Sequence, residues 1–255
     1  MLIIRSPQIH LFQQNARRAF ITEMVVHLGT FSPPLFDTLS EASRYQMVQF
    51  GIERAEHYGF SLRGPVQLYL ELMVLLGSHF DTDPQYPWAT AVLNDAPSTP
   101  EMQRAEQLYQ HTMNYRREVA GPEDGYMLQA LINIQILAQH PLNFALHNPM
   151  ASLLGEIQRI YPEKAAYLGE QTLETLISKG INGARKQQFA TPRGITLVVL
   201  LMLMFGHGCG TDPLYPWITK ALQDDHSDPE NRAKRLEGKA LTWLEHVIAN
   251  FDQET

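Results

Sequence analysis

A chain of 255 residues, 44% of them apolar, is long enough to bury a proper hydrophobic core. Its 20 basic and 27 acidic residues give a formal charge of −7. The basic residues form only short clusters such as Arg17-Arg18, Arg116-Arg117 and Arg232 to Arg235, which argues against a nucleic-acid phosphate backbone as partner. The single cysteine, Cys209, cannot form an internal disulfide, and Met1 to His10 lacks the apolar run of a signal peptide, so a cytoplasmic setting is expected. The most apolar stretch, Ile195 to Phe205, is about half the roughly twenty residues a membrane helix needs, so it predicts a core helix and no membrane association.

In chain order the apolar spacing is helical. Ala19, Phe20, Met24, Val25 and Leu28 mark a first helix that a breaker from Phe31 to Pro34 ends. Ser40 and Glu41 start a second, with Tyr45, Val48, Ile52 and Ala55 on one face. A third runs from Pro65 through Leu68, Leu72 and Leu75 to Gly77 as C-cap. Ser98-x-Pro100-Glu101 reads as a further helix start with a capping serine, and Ser227-Asp228-Pro229-Glu230 repeats it. Convincing alternating strands are absent, which predicts an all-α protein.

A shift of 129 residues, carrying Asp83 onto Asp212, aligns the chain with itself: between Gly51 and Glu101 it gives 20 identities in 51 positions without a gap. The densest block is T-D-P-x-Y-P-W, as Thr82, Asp83, Pro84, Tyr86, Pro87 and Trp88, and again as Thr211, Asp212, Pro213, Tyr215, Pro216 and Trp217. So long a period predicts two copies of a subdomain rather than a solenoid. The expected units are residues 1–121 and 130–255, each of four to five helices, joined by a turn at 122–129. They should pack with pseudo-twofold symmetry into one domain, with the central helices Val66 to Leu76 and Ile195 to Phe205 against each other. Because Gln67 and Glu71 align with Thr196 and Leu200, the second central helix should be the more deeply buried.

The motif reads first as scaffold. Asp83 and Asp212 can accept backbone N–H groups, Pro84, Pro87, Pro213 and Pro216 fix φ, and Tyr86, Trp88, Tyr215 and Trp217 supply aromatic anchors. A metal reading would use His79, Asp81 and Asp83 at alternate positions, yet His79 aligns with Gly208 and Asp81 with Gly210, so the copies share no ligand set. The glycine-rich second loop, Gly206 to Gly210, fits either a close approach to a ligand or partner, or a compact turn beneath a bulky neighbour. Glu53, Glu56 and His57 lie within one helical turn but align with Asn182, Arg185 and Lys186, which favours a solvated face. Cys209, two residues from His207, carries a weak nucleophile reading and a stronger one as a buried thiol. No nucleophile elbow, phosphate loop or paired C-x-x-C motif occurs, so no catalytic residue and no cofactor is expected.

The segment Leu75 to Trp88 resembles helical proteins encoded near type VI secretion and polymorphic-toxin loci of Gram-negative bacteria. That resemblance implies a cytoplasmic immunity or accessory protein that binds an effector and catalyses nothing. The acidic balance agrees, since such a surface steers towards a basic partner. The alternatives are a metal-dependent enzyme or effector using the His79 to Asp83 loop, and a structural subunit of a homo-oligomer. Because the copies act as controls on each other, a function-specific surface is expected where they differ.

Overall fold

The computed structural model describes residues 6–96, 98–140, 148–223 and 228–254. Helices α1 (Ser6–Phe31), α2 (Pro33–Phe36), α3 (Glu41–His57), α4 (Arg63–Leu76), α5 (Pro87–Asn94) and α6 (Glu101–Tyr115) come first. A π-helical turn over Arg116–Ala120 and a 3₁₀ turn over Pro122–Asp124 follow, and then α7 (Gly125–Ala138), α8 (Pro149–Ile160), α9 (Pro162–Lys186), α10 (Pro192–Phe205), α11 (Pro216–Leu222) and α12 (Pro229–Glu254). Among the described residues there is no strand, and no helix is long and apolar enough to cross a membrane. Each side of the turn region holds six helices rather than four to five. The surplus is the short pieces α2, α5 and α11, whose four to eight residues are too few to show a period.

Local chemistry accounts for most boundaries. Ser40 caps α3 by accepting from Ser43 N–H, and Thr191 caps α10 by accepting from Gly194 N–H. Prolines open α2, α5, α8, α9, α10, α11 and α12, where a missing N–H costs nothing. The predicted serine cap at Ser98 does not form: α6 starts at Glu101 behind Pro100, and Glu101 turns away to accept Ser61 N–H (2.6 Å) and Leu62 N–H (3.0 Å) ahead of α4. At α12 the cap is Asp228, which accepts from Glu230 and Asn231 N–H at 3.1 Å each; Ser227 lies outside the described residues.

The same local geometry recurs at an offset of 129 residues. Helices α4 and α10 both have 14 residues, from Arg63 and Pro192, and 3₁₀ turns stand at Phe80–Thr82 and Cys209–Thr211. Helix α9 covers the span of α2 and α3 together, and it is bent at Gly169, which aligns with the α3 cap Ser40. Helix α3 approaches α4 closely at Gly51, and α9 approaches α10 at the aligned Gly180, where a Cβ would lie 2.4 Å from Leu70 and 2.5 Å from Val199. The C-terminus of α3 closes with Phe60 N–H bonded to Ala55 O and Gly59 at φ +72. That of α9 closes with Phe189 N–H bonded to Ala184 O and Gln188 at φ +61.

Gln188 is exposed and has a Cβ in a left-handed conformation that its counterpart Gly59 adopts freely. Gln188→Gly should therefore stabilise the protein by roughly 0.5–1 kcal/mol, the αL strain relieved exceeding the chain entropy added. Chemical denaturation checks this; an unchanged or lower midpoint would count against the strain.

One hydrophobic cluster runs from Met24 to Leu236. The central helices do not pack along each other as the sequence predicts. Helix α4 lies against α1, α3 and α6, and α10 against α9 and α12, so each apolar circumference is covered by its own sequence neighbours. They meet at their C-termini instead, where a Cβ on Gly77 (φ +94) would sit 2.6 Å from Phe205 O. Helix α10 is nevertheless the more deeply buried, as expected: each helix has eight buried residues, but Arg63, Gly64 and Leu75 of α4 are exposed whereas no residue of α10 is. The polar positions on α4 find partners: Glu71 accepts from Gln67 Nε2 (2.9 Å) and lies 2.7 Å from His27 Nε2 on α1. Leu200, aligned with Glu71, lines a small cavity among α7, α10 and α12, where the Thr196 hydroxyl is buried without a partner.

Candidate functional site

The loops that follow α4 and α10 cross, and each motif aspartate reaches both its own turn and the other loop. Asp83 Oδ1 accepts Gln85 N–H (2.9 Å), while Oδ2 accepts His207 N–H (2.6 Å). Asp212 Oδ1 accepts Leu214 N–H (2.8 Å) and the Ser78 hydroxyl (2.6 Å), while Oδ2 accepts Ser78 N–H (2.8 Å). His207 and Ser78 are aligned positions, so the two carboxylates form a reciprocal clasp. Both are buried. The prolines and aromatics hold the turn that aims them: Tyr86 and Tyr215 N–H return to Asp83 O and Asp212 O, Pro87 and Pro216 open α5 and α11, and the Thr90 and Thr219 hydroxyls bond Asp81 O and Gly210 O. Tyr86 and Tyr215 are buried, with Trp88 and Trp217 packed at the edge of the core.

The clasp is electrostatically unequal. Burial opposes ionisation of Asp83, but the bonds from His207 and from Gln85 N–H overcome it and hold the carboxyl below its ordinary range. At Asp212 burial wins over the Ser78 and Leu214 bonds, and the carboxyl is raised. His207 Nδ1 lies 3.2 Å from Asp83 Oδ2 without hydrogen-bond alignment, so the backbone N–H is the firmer link.

Lys164, which the sequence reading passed over, is buried beside this clasp. Its ammonium donates to Leu203 O (2.6 Å) near the end of α10, and burial pulls its pKa down to about 8 against the attraction of Asp83. An unfolded chain keeps that proton to about 10.5, so between these values folding expels a proton and stability rises with pH. Wild type should therefore gain on the order of 1–2 kcal/mol relative to Lys164→Met between pH 8 and 9.5. Denaturant titrations of both proteins across that interval check this; parallel curves would sink it.

His79, Asp81 and Asp83 do not converge. Asp81 is fully buried, binds the Arg54 guanidinium (Nε 2.8 Å) and accepts from Tyr69 (3.0 Å), a trio confined to the first half because Arg54, Tyr69 and Asp81 align with Gly183, Val198 and Gly210. Asp83 faces the second loop. The His79 ring sits edge-on to Phe50 (5.5 Å) and 6.4 Å from the His207 ring, its pKa lowered by burial despite Asp212, and its Nε2 has no partner. Among the described residues no group of three or more His, Cys, Asp or Glu is placed to hold a metal.

The second loop is glycine-rich because the first fills its space. A Cβ on Gly208 would meet the His79 ring at 2.3 Å, so the bulky neighbour over this compact turn is His79. Cys209 is buried and its thiol is pushed up to about 12 by burial and then by Asp212 and Asp83, which keeps it protonated and inert at neutral pH. Glu53 accepts from Gln49, Glu56 pairs with Arg17, and His57 packs edge-on against Tyr58 (5.1 Å), all three exposed on α3.

Away from the clasp, two cavities flank α12. The apolar one beside Thr196 is only about 70 Å³, far below the several hundred Å³ of a small-molecule site, and is better described as a packing gap. The other is an open groove of about 480 Å³ between α11 and α12, lined by Trp217, Trp243, Arg235, Lys239, Thr242 and His246 together with Gly238. Comparisons of the chain with protein-family models, with curated proteins and with solved structures find no match.

Proposed function

We propose that this chain is a non-enzymatic protein-binding module, an immunity or accessory protein that binds a bacterial toxin effector in the cytoplasm and neutralises or escorts it. The observation that carries the reading is the clasp. Asp83, Asp212, Ser78 and Asp81, the polar groups best suited to chemistry, are buried and engaged in holding the chain together, and the Cys209 thiol is buried. What remains for function is surface. The resemblance of Leu75 to Trp88 to proteins of toxin loci supports the kind of partner, and the charge of −7 supports long-range attraction to a basic effector.

We further infer that the two halves are copies of one ancestral unit, related by a pseudo-twofold axis through the clasp. Support comes from the reciprocal aspartate bonds, the equal offset of α4 and α10, and the matching chain reversals at Gly59 and Gln188. Co-expression with the product of the neighbouring gene, followed by co-purification and a toxicity-rescue assay, tests the function. A stable complex together with rescue is the expected result, and failure to bind or protect against any neighbouring product would remove it. A second reading, a homo-oligomeric subunit, is favoured by the exposure of Leu11, Phe12 and Val26 along α1. A monomer in solution at high concentration would dispose of that alternative.

A further inference from the structure

We propose that the groove between α11 and α12 binds an acidic segment of the protein partner, with its carboxylates on Lys239 and His246 and an apolar side chain against Trp217 and Trp243. The proposal rests on the protein-binding reading and names the chemistry of one contact. Arg235, Lys239, Thr242 and His246 follow at spacings of four, three and four, so they share one face of α12. Among the described residues the lining contains no carboxylate, although the chain as a whole carries an excess of seven. Lys239 is exposed and forms no ion pair among the described residues.

The aromatic wall is half-exposed. Trp243 packs edge-on against Phe205 (4.6 Å), which also holds Trp217 (5.9 Å), so both indoles are anchored from beneath by the end of α10 and present a fixed apolar surface. Rigid aromatics beside cations are the composition of a recognition site, where the ring supplies area at little entropic cost and the charge selects the partner's sign.

The first half is an internal control. There Trp88 is covered by a stacked His111 (5.5 Å, 15°), whereas the position aligned with His111 is Ala240. The positions aligned with Arg235, Lys239 and Trp243 are Glu106, Gln110 and Asn114, and Gln110 donates to Glu106 (2.8 Å). The motif tryptophan is thus common to both halves, while the uncovered ring beside Lys239 belongs to the second alone; the one cation at an aligned position in the first is Arg117, aligned with His246 and lying beyond the end of α6. The overall negative charge steers a basic partner at long range; the groove is a local exception that selects an acidic stretch within it.

The test uses the full-length protein and a blocked synthetic octapeptide of glutamates around a central phenylalanine, followed by tryptophan fluorescence. Saturable binding is expected, weakening as salt is raised, and weakening at least tenfold in a Lys239→Glu, His246→Glu double variant whose changes lie on the exposed face of α12. Circular dichroism and the thermal midpoint of that variant should match wild type, so that lost binding is not lost folding. Three results would overturn the proposal: no binding, binding indifferent to the double substitution, or equal binding of a control octapeptide with lysines in place of glutamates. Tighter, equally variant-sensitive binding of a single-stranded oligonucleotide would overturn the acidic-peptide assignment in favour of a polyphosphate. Capture of the neighbouring gene product separates the two ideas: capture by wild type and double variant alike removes the groove and keeps the binding function, whereas capture by neither removes the function while the peptide titration still decides the groove.

Discussion

Asp83→Asn should destabilise the protein by roughly 2–4 kcal/mol at neutral pH and Asp212→Asn by only about 1–2, with alanine at either position costing about 3–5 kcal/mol. Each carboxylate is surrounded by donors: Gln85 N–H, His207 N–H and a Gln85 side-chain amide that Met202 O also holds at Asp83, and Leu214 N–H, Ser78 N–H and the Ser78 hydroxyl at Asp212. An amide must turn its NH₂ towards one backbone N–H in either case. At Asp212 the Ser78 hydroxyl can rotate to accept, and the site already disfavours the charge that is lost. At Asp83 the charge is favoured and Lys164 loses the anion whose attraction opposes its burial. Alanine leaves two buried N–H groups unpaired, one of them on the opposite loop.

The pH dependence of the two aspartates runs in opposite directions. The lowered pKa of Asp83 contributes stability that is present above the ordinary carboxylate value of 3.8 and is lost as pH falls through its lower folded value. The raised pKa of Asp212 means that the folded state holds a proton the unfolded chain has released, so its contribution shrinks as pH rises through that window. Denaturant unfolding of the four variants at pH 7, pH 4.5 and pH 3 reads both effects, the Asp212 contribution between the first two and the Asp83 contribution between the last two. Asparagine variants of equal stability, or an Asp83→Asn within about 0.5 kcal/mol of wild type, would remove the clasp as a main support.

The helical architecture and many of its boundaries are legible in the sequence because they rest on local rules. Apolar spacing places α1, α3 and α4, Ser40 marks a cap, and Gly77 marks an end. The aspartates of the motif also read correctly as acceptors of backbone N–H groups. What the sequence does not carry is the other end of each long bond. That Asp83 reaches residue 207 and Asp212 reaches residue 78 depends on the loops crossing, which no local propensity encodes. The packing of α4 and α10 was illegible for the same reason: an apolar helix shows that it must be covered, not by what. The cationic groove was nearer to view, since Arg235, Lys239 and His246 are differences between the halves, but their common face appears only once α12 is known to be continuous through them.

Arg104 is the clearest case of a residue whose role is hidden in the sequence, and Arg104→Met is expected to cost about 3–5 kcal/mol, near the upper end for a single substitution. In an amphipathic helix an arginine reads as a solvated charge, yet Arg104 is only 2% exposed, with its guanidinium 4.5 Å over the Phe60 ring. Nη1 donates to Tyr58 O (2.8 Å) and Leu93 O (3.1 Å), and Nε donates to Thr99 O (3.2 Å). Tyr58 caps the C-terminus of α3, and Leu93 lies in the last turn of α5, so the cation sits where two helix dipoles present their negative ends and where carbonyls lack intrahelical partners. Those dipoles take the place of a carboxylate. Methionine would fill much of the volume but strand three carbonyls, and lysine would keep the charge while serving fewer of them, with a loss of roughly half as much. Equilibrium unfolding of the two variants tests the order, and a loss below about 1 kcal/mol for Arg104→Met would show that the carbonyls are satisfied without it. The second half meets the same need from a different register: Arg232, aligned one position before Arg104, donates to Gln187 O (2.7 Å), the carbonyl aligned with Tyr58 O. A cation thus stands at the end of both helices from registers one residue apart, which an alignment of identities cannot register.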